Sequence, residues 1–228
     1  MTERAELVAA FAQVLPGHDD LAEDLLDRYA EPHRSYHTAE HLAAVLTRID
    51  EFAVRDNDLY TVRLAAWFHD AVYQLKGLEI SNEEASARLA TRELGRRGFD
   101  QEDINEVGRL VRLTETHQPG PSDRDGTLLC DADLAVLGSD PDGYARYREA
   151  VRAEYPQLDD ATFAAGRLAV LQRFGGRQVF RTTAGRRLER AAQTNLEAEA
   201  RELIDRFGLQ TDGWPLDQDP DHPSPSEE

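Results

Sequence analysis

Seven histidines occur among the 228 residues, and a few of them stand where packing alone explains them poorly. His37 and His41 lie in RSYHTAEHL. With a helix beginning near Thr38, the two fall one turn apart on one face. His69 and Asp70 close the apolar segment LAAWFHD, and Asp131 and Asp133 interrupt the apolar LLCDADLAVLG. A carboxylate in such a stretch is costly unless something positive holds it. A metal ion does so, and imidazole nitrogen with carboxylate oxygen suits Mn, Fe, Co, Ni, Zn and, less well, Mg. Two His and two Asp drawn from separate helices leave positions open for water. Such a site polarises a phosphoryl oxygen and acidifies its water. The plainer alternative is that these are isolated capping or hydrogen-bonding residues.

Candidate anion contacts are Arg34, just before Tyr36-His37, and the pair Arg148 and Arg152 in GYARYREAVRAEY. Arg148 and Arg152 are four apart, so they can clamp a phosphate with paired donors. The neighbouring Tyr144, Tyr147 and Tyr155 can stack on a base. The alternative for this segment is an amphipathic helix with aromatics in the core and salt-bridged Arg outside. Cys130 has no evident nucleophile partner and reads as a small buried hydrophobe.

Helices must position these residues. Ser81 followed by Glu84 predicts a capping box opening a helix from Asn82 toward Gly95. Asp140-Pro141 reads as N-cap and first helical residue of a segment through Tyr155. Asp100 and Asp159 cap helices near 101–113 and 160–174, and further helices are predicted over 4–15, 19–30, 38–55, 59–73, 127–137 and 183–207. Pro32, Pro119-Gly120-Pro121 and Gly175-Gly176 break the pattern. The expectation is an all-α protein: one helical bundle over 1–208, then an Asp-, Pro- and Ser-rich tail over 209–228 too polar to fold.

Acidic residues outnumber basic ones 44 to 26, a formal net charge of −18, which disfavours a nucleic-acid polymer or an anionic membrane as partner. A small phosphorylated ligand stays open, since a bound cation and a few Arg reverse the local field. One cysteine excludes an intrachain disulfide and a thiolate metal cluster, and fits a reducing, cytoplasmic setting. No apolar run approaches a bilayer span. The first residues read as an amphipathic helix rather than a signal peptide.

His41, then His69-Asp70, then Asp133, set in helices in this order, resemble the HD superfamily of metal-dependent phosphohydrolases. The stretches AEPHRSYHTAEH, AAWFHDAVY, SNEEASA, LTETH, DADLAVLG and GYARYREAVRAEY are similar to a group of stand-alone HD phosphohydrolases, over roughly residues 30–155. The resemblance implies an all-α, HD-like fold with His41, His69, Asp70 and Asp133 as metal ligands. Asp131 is the rival for the last place. Asp133-Leu134 resembles the stretch of cyclic-nucleotide phosphodiesterases whose Asp ligates metal, which leaves Asp131 to orient a His or a water from behind. YHTAEH likewise resembles their YHxxxH stretch, in which the first His protonates the leaving oxygen. That implies His37 as general acid, the alternative being a helix-start His bonded to backbone.

The sequence also departs from the superfamily. Relatives that bind two metals carry additional His residues between the HD pair and the last Asp. Here Asn82-Glu83 takes the place of the first, and His117 matches a second. Glu83 is read either as a second-ion ligand or water-positioning base, or as an ordinary acidic residue of a first helical turn. His117 is read as a ligand or as a hydrogen-bonding residue at the site's edge. The implied activity is hydrolysis of a phosphate ester of a nucleotide or related metabolite, with a divalent ion (Mn, Mg, Ni, Co, Fe or Zn) as cofactor and Asp70 both holding metal and accepting a proton. The alternatives are an HD-type two-iron oxygenase and a non-catalytic sensor of a nucleotide or metal.

Overall fold

Side-chain caps start many of the helices. In a computed structural model of the chain, which describes residues 3–75 and 79–211, every regular element is helical. The helices are α1 (Glu3–Val14), α2 (Asp19–Tyr29), α3 (Ala39–Phe52), α4 (Leu59–Phe68), α5 (Asn82–Arg96), α6 (Gln101–Leu113), α7 (Arg124–Asp133), α8 (Pro141–Ala153), α9 (Asp160–Phe174) and α10 (Glu189–Phe207). Asp58, Ser81, Asp123, Asp140 and Asp159 each accept a hydrogen bond from a backbone N–H of the first turn. Such a cap contributes about 1 kcal/mol. The predicted capping box is half formed. Ser81 accepts from Glu84 N, but the Glu84 carboxylate turns to Arg88 and Arg112. Asp100 stands at its N-cap without a side-chain bond. From residue 212 on, the expected tail lies outside the described residues.

Several boundaries differ from the sequence reading, including α3, which ends at Phe52 rather than 55. The helix expected over 59–73 ends at Phe68. The His69 ring donates to Ala66 O, and side chains from elsewhere take the backbone groups of residues 70–74. The helix expected over 127–137 starts at Arg124 under the Asp123 cap and tightens to a 3-10 turn over Leu134–Gly138. The helix expected from 183 is a 3-10 turn, Gly185–Leu188, before α10.

The helices gather into two compact units. The first holds α1–α7 and also the short segment Thr182–Gly185; the second holds α8–α10. The single-bundle expectation over 1–208 thus covers two units, dividing after Ala135. In the first unit α4 is the central element. Val62 and Leu64 to Phe68 are fully buried, the pattern of a helix covered on every side. It lies against α1, α3, α5, α6 and α7, and α3 and α7 also lie against each other. Three mutually packed helices, α3, α4 and α7, therefore converge where α4 ends. In the second unit α9 and α10 pack together around Leu168, Leu171, Leu196 and Ala200. No helix among the described residues is long and apolar enough to cross a membrane.

Candidate metal centre

His41 sits in the first turn of α3, His69 and Asp70 follow α4 directly, and Asp133 is the last residue of α7. The packing of these helices brings the four side chains together. His41 Nε2 and His69 Nε2 face each other at 3.3 Å. Asp70 Oδ2 lies 3.1 Å from His69 Nε2 and 3.6 Å from His41 Nε2. On the same nitrogens, Asp133 Oδ1 lies 3.0 Å from His41 and 3.6 Å from His69. Both imidazoles are buried, His69 to 1% exposure.

The tautomer of His69 follows from its other nitrogen. Nδ1 is 2.6 Å from Ala66 O, and a carbonyl only accepts, so Nδ1 carries the proton. In the neutral ring Nε2 then presents a lone pair toward a second imidazole nitrogen and two carboxylates. Three acceptors with the His41 nitrogen beside them favour a positive charge in their midst, a proton or a metal. The electrostatics say the same. Burial alone depresses His69, but Asp70 first, with Tyr29 and Asp133, outweighs it and holds the imidazole well above its ordinary range. Burial pushes Asp70 and Asp133 up, yet the neighbouring histidines, His69 foremost, hold both carboxyls below the usual range.

Imidazole nitrogen and carboxylate oxygen are both metal donors. Bonds of about 2.0–2.2 Å place neighbouring donors roughly 2.8–3.6 Å apart, between octahedral and tetrahedral spacing. His41, His69 and Asp70 each offer an atom within 4.8 Å of the other two and can hold such an ion. Asp133 stands outside that group of three, with its Oδ1 beside both imidazoles.

Around these four, the remaining candidates divide. Asp133 Oδ2 accepts from His117 Nε2 at 2.8 Å, which fixes how the carboxylate turns. His117 has φ 52° and is the only non-glycine at positive φ among the described residues. Asp131, also buried, points to the segment Thr182–Gly185 and accepts from Thr182 N at 2.7 Å. Between the rivals, Asp133 is the one that reaches the imidazoles. His37 precedes α3 rather than lying within it, so the expected one-turn spacing to His41 does not apply. Its ring stacks on Tyr73 at 4.1 Å and stands 6.0 Å from the His41 ring. Glu83 is in the first turn of α5 and outside the metal-capable group. Asn82 is committed elsewhere: its amide bonds both Gln74 N and Gln74 O.

The expected anion contacts are corrected by their partners. The Arg34 side chain has no exposed surface and donates to the carbonyls of His37, Asp70 and Ala71. It does not face an incoming anion. Arg148 and Arg152 belong to the second unit. Arg148 pairs with Glu202 and Glu199; Arg152 bonds Tyr155 O, Leu158 O and Asp160. Several of their donors meet acceptors of that unit, and both side chains line a cavity of about 540 Å³ there. Cys130 is buried.

Sequence reasoning missed the residues that shape the chain after Asp70. Ser86, fully buried on α5, accepts from Val72 N and donates to Val72 O, and Asn82 does the same for Gln74. The available signal was a serine set among the buried alanines of SNEEASA. Compared with known proteins, the chain matches no protein-family model, no curated protein and no solved structure.

Proposed function

We propose that this protein is a metal-dependent phosphohydrolase that holds a divalent ion on His41, His69, Asp70 and Asp133 and cleaves a phosphate ester of a nucleotide or related metabolite. The observation that carries this is the pair of Nε2 atoms 3.3 Å apart, flanked by two carboxylate oxygens within 3.6 Å. A divalent ion bound there supplies Lewis acidity, polarising a phosphoryl oxygen and lowering the pKa of a coordinated water.

The chain's own groups do the rest. The two carboxylates supply the negative charge that retains the cation. Ala66 O keeps the His69 proton on Nδ1 and so keeps Nε2 available. His117 orients Asp133 through Oδ2. His37, held against Tyr73, gives a proton to the departing oxygen. Asp70 takes up a proton in return. Glu83 has no hydrogen-bond or ion-pair partner among the described residues, which leaves its carboxylate free to position water. A single cysteine suits a reducing compartment, and we assign the protein to the cytoplasm. The two-iron alternative would draw on Asn82-Glu83 and His117, but the Asn82 amide is bonded at both ends and His117 Nε2 is engaged by Asp133.

The test is His69→Ala and Asp70→Ala, read by metal content and by hydrolysis of a broad phosphate-ester panel. Both variants are expected to lose metal and activity together. If metal-loaded wild type cleaves no ester and the variants behave identically, the proposal fails. Tight nucleotide binding without turnover favours the sensor alternative.

A further inference from the structure

We infer that Arg34 is a positioning residue for the metal centre, an inference that rests on the metal reading above. His41 and Asp70 stand on stretches far apart in sequence, one at the start of α3 and the other just past α4. His37 precedes the α3 ladder, which starts at Thr38 O, and past α4 the chain turns back through Ala71 N–H to Phe68 O. A single guanidinium joins them. Arg34 Nη1 donates to His37 O at 3.1 Å and to Asp70 O at 2.7 Å, and Nη2 reaches Ala71 O at 3.4 Å. The Glu31 carboxylate lies 3.1 Å from both Nε and Nη2. The rings of Tyr29 and Tyr73 cover the guanidinium at 5.4 and 5.6 Å.

Burying such a charge is expensive, and an apolar side chain fills space more cheaply. What an apolar side chain lacks is several coplanar donors at fixed angles, able to hold carbonyls from two strands of chain at once. The carbonyls held are those of the proposed proton donor and of a proposed ligand. Tyr73, which covers Arg34, also stacks on His37. Arg34 thus sets the separation between the His37–His41 stretch and Asp70.

Co2+ reads this directly, because its visible absorption reports ligand geometry in folded protein apart from turnover. Arg34→Met is expected to bind Co2+ at least tenfold more weakly with an altered band shape. Arg34→Lys keeps the charge but not the planar fork, and is expected to fall between Met and wild type with a shifted band. Arg97→Met serves as control. It removes another arginine that bridges two carboxylates, Asp20 and Glu93, and it should lower stability without changing the Co2+ band. Should Arg34→Met not fold, Arg34→Lys carries the test alone. Wild-type affinity and band shape in the folded Arg34 variants overturn the inference while leaving the metal centre standing. If wild type takes up no more Co2+ than His69→Ala, the metal reading itself fails and this inference with it.

Discussion

Among the described residues, a buried ionic cluster in each unit can be set against the other, and the two are built on opposite principles. In the second unit Arg167 grips Glu199 with two N–H bonds of 2.9 Å, Tyr144 donates to the same carboxylate at 2.7 Å, and Arg167 also bonds the Tyr147 hydroxyl. Cation meets anion there, and each carboxylate oxygen has a donor. In the first unit, two carboxylates and two imidazole nitrogens converge, and among the described residues no Lys or Arg side chain pairs with them. A buried network that neutralises itself has a structural job. One that gathers imidazoles and carboxylates needs a proton or a metal among them, and the proposed function rests on that asymmetry.

The comparison can be broken most forcefully at Glu199. Glu199→Ala strands a buried guanidinium, and urea denaturation should show a loss of about 3–5 kcal/mol. Metal content of the folded variant should match wild type; an equal loss of metal would erase the distinction between the clusters. Replacing both partners, as Arg167→Met with Glu199→Leu, should cost less than the single change. Next in size is the response to metal. Saturating divalent ion should stabilise wild type by about 2.7 kcal/mol at a hundredfold excess over Kd, seen as a raised Tm, and His69→Ala should show no such rise. His117→Ala leaves the four donors in place but frees Asp133 to rotate, and metal affinity should fall by about 10–100-fold in a chelator competition.

The smallest effect is one of pH. Burial pushes the Glu199 carboxyl up, but its bonds to Arg167 and its charge outweigh burial and hold the carboxyl below its ordinary value. A lowered folded-state pKa contributes stability above the unfolded value of about 4.3 that is lost as pH falls through the folded one. Wild type should therefore lose stability more steeply than Glu199→Gln in acid below about pH 4.3, and parallel curves there would show the pair to be inert.

Much of the helical framework was legible because caps are local. Asp140-Pro141 and Asp159 announce α8 and α9 in the sequence itself, and their side-chain bonds are in place. The convergence of His41, His69 and Asp70 was legible for a different reason, since polar groups at the ends of apolar segments must find partners. What could not be read was anything set by chain segments meeting. Arg34 looks like a surface cation until the carbonyls of Asp70 and Ala71 arrive beside it. Composition alone does not separate Asp131 from Asp133; the structure does, by Asp133 Oδ1 beside the imidazoles and Thr182 N on Asp131. The end of α4 was overrun because apolar periodicity continues past Phe68 while the hydrogen bonding does not.

The seating of Thr182–Gly185 on the first unit has a consequence for how the protein comes into being. Gly185 approaches Asp131 so closely that a Cβ there would stand 2.7 Å from Oδ2, so this short piece is fitted rather than draped. During translation, at roughly 5–20 residues per second, the amino-terminal helices emerge well before residue 182, whose N–H bonds Asp131. A fragment cut after Ala135 lacks that bond and the close fit of Gly185, so dissecting the gene at the apparent boundary removes a piece of the first unit itself.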